Sequence, residues 1–337
     1  MNVKDGMPTV LNEIQTEFET INRGYNDVFR SGRLSLGLVV PIENHGAASV
    51  PQMHRHIERV RLAESLGFAA IWLRDVPFNV PSFGDAGQNY DPFVYLGLLA
   101  GATDRIALGV ASVILPLRHP AHVAKAGATA DVLSGGRLIL GIASGDRPEE
   151  YPALNMPFAD RGARFRESFA YIRQMSDRYP RFDNHFGRSL GNMDMLPKPT
   201  AGKLPMLITG GSQQSSEWLM RNGDGWMTYP RSASAMAHAI DQWRQGLRDS
   251  GRPNQPVMQP LYIDLAEDPD AEPRAIHLGF RLGVNALLDY LRKRQAMGVN
   301  HVALNLRFNQ ADVETTLSRL ADDVLPEFSE RSKPSGH

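Results

Sequence analysis

From Leu34 onward the chain alternates between short apolar runs and stretches in which apolar residues recur at steps of three and four. The runs have the length of strands, and the stretches have the period of helices packed on one face. Eight such pairs can be counted. The predicted strands are 34–40, 69–73, a run from Arg105, a run from Arg137, 204–208, 225–229, a run from Pro256, and 301–306. The predicted helices open near Pro51, Pro92, Pro120, Arg161, Gln213, Ala233, Gly283 and Val313. Proline suits a first helical turn, where its missing N–H has no partner to lose, and Gly67 and Gly135-Gly136 read as stops. Eight βα units without a linker favour a closed (β/α)8 TIM barrel over an open doubly wound sheet. Residues 34–328 are therefore read as one barrel domain and 329–337 as a disordered tail. Within residues 1–33, Val10, Leu11, Ile14, Phe18, Ile21, Tyr25, Val28 and Phe29 recur at helical spacing, which predicts a helical extension packed on the barrel or on a second subunit.

Three connections exceed the usual length: 74–91 and 143–160 follow strands, and 179–203 precedes the fifth strand. Barrel active sites lie at the C-terminal ends of the strands, so the first two are insertions on the face where function is expected.

Composition narrows the chemistry. With 36 basic and 37 acidic residues among 337, the net charge of −1 offers no field to gather nucleic acid or an anionic membrane. The absence of cysteine excludes disulfides, thiolate nucleophiles and Cys-ligated metals. No metal site is expected, because His54 and His56 diverge at two residues' spacing on a predicted helix and there is no HExxH. The N-terminus lacks the basic start and apolar core of a signal peptide, and no run reaches the length of a membrane span. The expectation is a cytoplasmic protein acting on a small molecule.

The most informative stretch is LPMLITGGSQQSSEWLMRNGDGW, where an apolar run stops at a glycine pair and turns into a helix. Gly210 and Gly211 are expected to supply positive φ, Ser212 the N-cap, and Ser215 a second hydroxyl one turn on. Strand, tight turn and helix N-terminus together form an anion site, most simply for a phosphate. Other polar residues cluster at predicted strand ends: Arg74 and Asp75, Ser112, Arg118 and His119, Ser144 with Asp146 and Arg147, Tyr229, Asn305 and Arg307. Each has a plain structural alternative. Arg74 and Asp75 read equally as a loop ion pair, His119 before Pro120 as a helix-start residue, and Trp72 and Trp226 as core. Asp75 and Asp146 also keep open a barrel glycoside hydrolase with paired carboxylates.

The segment DRIALGVASVILPLRHPAHVAKAGATADVLSGGRLILGIASGD, with GFAAIWLRD before it and LITGGSQQSSEWLMRNGDGW after it, resembles the bacterial luciferase-like flavin-dependent oxidoreductases. The N-terminal extension and the RDVPF and ASGDRPEE strings resemble a less characterised branch. The resemblance implies FMN, or a deazaflavin coenzyme, across the barrel mouth. It implies a phosphate held by Ser212, Ser215 and the N–H groups of Gly211 to Gln213, with Arg164 reaching it. It further implies a non-proline cis peptide at Ala111–Ser112 beneath the ring, and Ser144, Gly145 and Asp146 on the ring's polar side. Family luciferases carry a catalytic histidine where this chain has Val76, so Arg74, Asp75, Arg118 and His119 are the candidates to supply its acid–base work. The expected activity is a monooxygenase using reduced FMN from a separate flavin reductase, since no nicotinamide-binding GxGxxG is visible. A homodimer is expected by the same resemblance. The alternative is a flavin-binding protein without turnover.

Overall fold

The computed structural model describes residues 17–46, 48, 50–83 and 87–329. Eight parallel strands close into a barrel: β1 Ser35–Val39, β2 Ala70–Leu73, β3 Ala107–Ile114, β4 Leu138–Ala143, β5 Met206–Thr209, β6 Trp226–Met227, β7 Val257–Leu265 and β8 His301–Asn305. Each pairs with the next in sequence, and β8 returns to β1. Eight helices cover the outside: α2 His56–Leu66, α3 Pro92–Ala102, α4 Pro120–Leu133, α5 Arg161–Gln174, α6 Ser216–Asn222, α7 Ala233–Asp249, α8 Val284–Met297 and α9 Val313–Asp323. The fold is the (β/α)8 TIM barrel that the alternation predicts.

Strand residues alternate between two cores, as a period of two requires. Leu36, Leu38, Ile71, Leu73, Leu140 and Ile208 face the helices. Val39, Ala70, Trp72, Ile139, Leu207 and Met258 fill the barrel interior. Trp72 spans that interior because Gly109 faces it. A Cβ on Gly109 would run into the indole ring, and one on Gly37 would lie 2.7 Å from His301 Nε2. Trp72 Nε1 donates to His301 Nε2 at 2.8 Å. Ser35 Oγ lies 2.7 Å from His301 Nδ1 and donates to Val28 O, so Nδ1 carries the imidazole proton and Ser35 accepts it. A charged imidazole would lose the Trp72 bond, and burial pushes the His301 pKa down to about 3. Trp226 lies in the outer core, stacked on Trp243 at 5.3 Å.

Helix α1, Arg23–Val28, closes the N-terminal end of the barrel. Asn22 donates to Asp131 and to Leu138 O, and Tyr25 Oη donates to Asp224 O. The described part of the expected extension is thus one six-residue helix; Val10, Leu11 and Ile14 lie outside the described residues, as does nearly all of the expected tail.

Other boundaries move for local reasons. Helix α2 begins at His56 rather than near Pro51, because Met53 and Arg55 take φ of 60° and 54°, which no right-handed helix includes. The connection 179–203 contains an antiparallel hairpin, Arg181–Asn184 with Gly187–Leu190. A second hairpin, Arg274–Ile276 with Gly279–Leu282, extends β7 above the barrel, where Gly279–Leu282 pairs with Tyr262–Leu265. No helix among the described residues is long and apolar enough to cross a membrane.

Candidate active site

Two joined cavities open at the C-terminal mouth of the barrel. The larger, about 370 Å³, descends along Val39, Met227, Met258, Pro260 and Ala303 and is roofed by Tyr262, His277 and Leu278. The smaller, about 270 Å³, is ringed by Ser144 to Arg147, Glu150 and the turn at Gly210, Ser212 and Gln213. Arg74, Ala111, Ser112, Asp146, Thr209 and Tyr229 line both and mark their junction. One half is therefore mostly apolar, and the other is rich in polar groups and turn backbone.

Strand β3 runs to Ile114, and its register against β4 shifts between Val110 and Val113. In that irregular stretch the Ala111–Ser112 peptide is cis, as the resemblance implies. Ser112 Oγ hydrogen-bonds Thr209 Oγ1, which ties β3 to the end of β5 across the cavity floor.

The turn after β5 is longer than expected. Helix α6 starts at Ser216, so its N-cap is Ser215, whose Oγ accepts from Trp218 N at 3.3 Å. Ser212 is not the cap; its Oγ donates to Thr209 O at 2.8 Å. Positive φ falls on Gly210, Ser212 and Gln213, at 56°, 42° and 59°, and not on Gly211. This succession turns backbone amides toward one point. Among the described residues the N–H groups of Gly211, Ser212 and Gln213 donate no hydrogen bond. Such a concave run of amides suits an anion. The start of α5 packs on it, with Gln214 Nε2 donating to Gly162 O at 2.7 Å. Arg164, one turn along α5, lines neither cavity, and its Nε is buried without a hydrogen-bond partner. Thr228 Oγ1, on the wall of the larger cavity, is likewise buried and without a partner. The orphaned Thr228 hydroxyl, the amide turn and the apolar half fit a ligand that joins a largely apolar ring system to an anionic tail.

The four candidate acid–base residues separate. Arg74 stands at the junction of the cavities. Asp75 lines the smaller one, but its partner is Arg118 rather than Arg74: Arg118 Nε and Nη2 reach the two carboxylate oxygens at 2.9 and 2.7 Å. Arg118 Nη2 also meets Asp91 at 2.7 Å, and Ile114 N donates to Asp75 at 3.1 Å. This network ties the ends of β2 and β3 to the cap of α3, and both oxygens of Asp75 are engaged in it. His119 is exposed and caps α4, its Nδ1 accepting from Ala121 N. Neither Arg118 nor His119 lines either of the two cavities. Among the described residues no group of three or more His, Asp or Glu is placed to hold a metal.

Several lining residues have no counterpart in the sequence reading. Tyr262 reaches the mouth because β7 continues past the barrel, and His277 because the second hairpin folds back over it, packing edge-on against Tyr262 at 5.6 Å. Glu150 sits in the long connection after β4, in which the sequence singles out no residue beyond Arg147. Its i−3 spacing from Arg147 was the available signal, and the structure places the pair 3.7 Å apart, both buried. Arg147 also lies over the Phe83 ring at 4.4 Å, so the connections after β2 and β4 touch above the smaller cavity.

Comparison with known proteins gives three results. The family model described as luciferase-like monooxygenase matches residues 34–329. An uncharacterized protein of Mycobacterium tuberculosis is 31% identical over 240 residues, covering 65% of this chain and 82% of that protein. Among solved structures, the FMN complex of the oxygenating constituent of 3,6-diketocamphane monooxygenase from Pseudomonas putida superposes with a TM-score of 0.69 at 16% identity, covering 88% of this chain and 99% of that one. An F420-dependent secondary alcohol dehydrogenase superposes with a TM-score of 0.71, also at 16% identity, covering 88% of this chain and all of that one.

Proposed function

Because the chain belongs to the luciferase-like monooxygenase family, we propose that it is an FMN-dependent oxidoreductase acting on a small organic substrate with oxygen. Reduced flavin would come from a separate reductase. The observation that carries this reading is the two-part mouth, an apolar cavity joined to an amide-lined polar one. FMN bound there supplies electron transfer to oxygen or substrate. The chain's own residues have three tasks. The turn at Gly211 to Gln213 grips the anionic tail; Ala111, Ser112, Ser144, Gly145, Asp146 and Thr228 hold the ring system. The connections joined by Arg147 and Phe83, together with Tyr262 and Leu278, exclude water from the reacting edge.

Titration with FMN is expected to give saturable fluorescence quenching, and reduced FMN with oxygen is expected to give substrate-dependent product. Binding without any such product would favour a flavin carrier. A Gly211→Asp variant sets a carboxylate in the anion turn, at a position with open space and no positive φ. It should weaken FMN about tenfold or more, while riboflavin, which lacks the phosphate, keeps its affinity. Equal losses for both ligands would remove the phosphate from this turn.

A deazaflavin coenzyme is the second reading, favoured by the likeness to the F420-dependent alcohol dehydrogenase. The same titration with F420 decides between them, the tighter ligand being the cofactor.

The proposal extends to a homodimer. Helix α3 is apolar on every face, and its Val94 and Leu98 are 76% and 48% exposed. Two exposed apolar side chains one turn apart on one helix face suit a partner surface. A Val94→Glu/Leu98→Glu variant is expected to elute as a folded monomer where the parent protein is a dimer. Unchanged mass by light scattering would place the interface elsewhere.

A further inference from the structure

Glu150 opens a short helical turn, Glu150–Ala153, in the connection after β4, and it lines the smaller cavity. The residue is 3% exposed, and its Oε1 has no hydrogen-bond partner. A carboxylate can only accept hydrogen bonds, so a buried one with an unpaired oxygen is costly. A neutral carboxyl removes that cost, because its O–H is a donor that a ligand in the cavity can satisfy. The surroundings favour the neutral form without closing off the charged one. The Arg147 guanidinium stands 3.7 Å from Oε1, within ion-pair range but beyond a hydrogen bond, and its position is fixed by the Phe83 ring. Asp75 from the end of β2 and Asp146 from the same connection bring negative charge to the same pocket. Burial pushes the Glu150 carboxyl up from its ordinary range, Arg147 and the Phe78 N–H draw it down, and the two aspartates add to the rise.

Building on the flavin reading of the mouth, we infer that Glu150 is the proton-transfer group of the site, a neutral carboxylic acid whose Oε1–H serves an oxygen or nitrogen acceptor on the molecule reacting in the cavity. In that step the Oε1–H bond breaks as the acceptor's lone pair takes the proton. The bonding pair stays on Glu150, and no electron changes hands. The carboxylate so formed faces Arg147, which meets its charge. Glu150 thereby fills the role that Val76 cannot, from a different strand end.

Infrared difference spectroscopy of the full chain through a pH titration tests the protonation directly. A carboxylic C=O band should persist above the ordinary glutamate range and be missing in Glu150→Gln, and Arg147→Met should move its midpoint higher. A midpoint at the ordinary value, or a band unchanged by Glu150→Gln, overturns the assignment. In turnover with reduced FMN and oxygen, Glu150→Gln should lose about 10²–10⁴-fold in rate and lose the decline at high pH, while still quenching FMN fluorescence. A rate within threefold of the parent, with the same pH profile, overturns it as well. If neither FMN nor F420 binds the parent protein, the flavin reading falls by that result, and the infrared titration, which needs no ligand, still decides Glu150. Should Glu150→Gln fail to fold, Arg147→Met decides in its place, because an unmoved midpoint shows that the titrating group is not the one facing Arg147.

Discussion

An Arg118→Met variant is expected to lose about 3–5 kcal/mol of stability, toward the lower end because Arg118 keeps a solvent-facing edge. The side chain of Asp75 is 1% exposed, and Arg118 meets both of its oxygens. Removing the guanidinium leaves a buried carboxylate with only the Ile114 N–H. Methionine keeps most of the aliphatic packing, so the loss isolates the charge. Asp75→Asn combined with Arg118→Met should recover much of the stability, since no uncompensated charge remains, and the double-mutant cycle should be strongly non-additive. Urea midpoints of the three variants and the parent measure this. If Arg118→Met kept its midpoint while abolishing turnover, Arg118 would be acting on the ligand and the structural assignment would fail.

Trp72→Ala carries a second large effect with a distinctive pH signature. The indole fills the barrel interior against Gly109, which has no side chain to expand into the space it leaves. Truncation should cost about 3–5 kcal/mol at neutral pH. It also strips His301 of the donor on Nε2 and opens room for water. In the parent protein the His301 pKa lies at about 3 when folded, below the ordinary value near 6.5 when unfolded. The unfolded chain therefore binds the proton first as pH falls. The contribution is complete above about pH 6.5 and declines toward pH 3 at about 1.4 kcal/mol per unit. With His301 rehydrated, the alanine variant should be less stable at pH 7 yet lose less between pH 7 and 5. Parallel stability curves for the two proteins over that range would refute the coupling.

These two clusters show what could be read in advance and what could not. Trp72 was legible as core because it ends an apolar run, but its partner His301 lies 229 residues away and is joined to it only by closure of β8 onto β1. Arg74 and Asp75 invite an ion pair by adjacency. In the structure Asp75 turns instead to Arg118, since neighbours on a strand end point to opposite sides while the end of the next strand lies alongside. The glycine turn lies after the fifth strand, as its sequence reads, but its helix is capped by Ser215 and not by Ser212. Gln213 adopts a left-handed conformation that composition does not signal, and the helix starts later as a result.

The sequence by itself determined the barrel, the strand order and the face on which the two cavities open. Those follow from apolar periodicity and loop length, which are local properties written along the chain. Only the tertiary structure decided which strand-end residues share a cavity. It set Glu150 beside Arg147 in the mouth, locked Asp75 into an ion pair, turned His119 outward and brought His277 over the mouth on a hairpin. The physical reason is that burial and charge pairing depend on distances across the closed barrel, between residues whose separation along the chain carries no information about them.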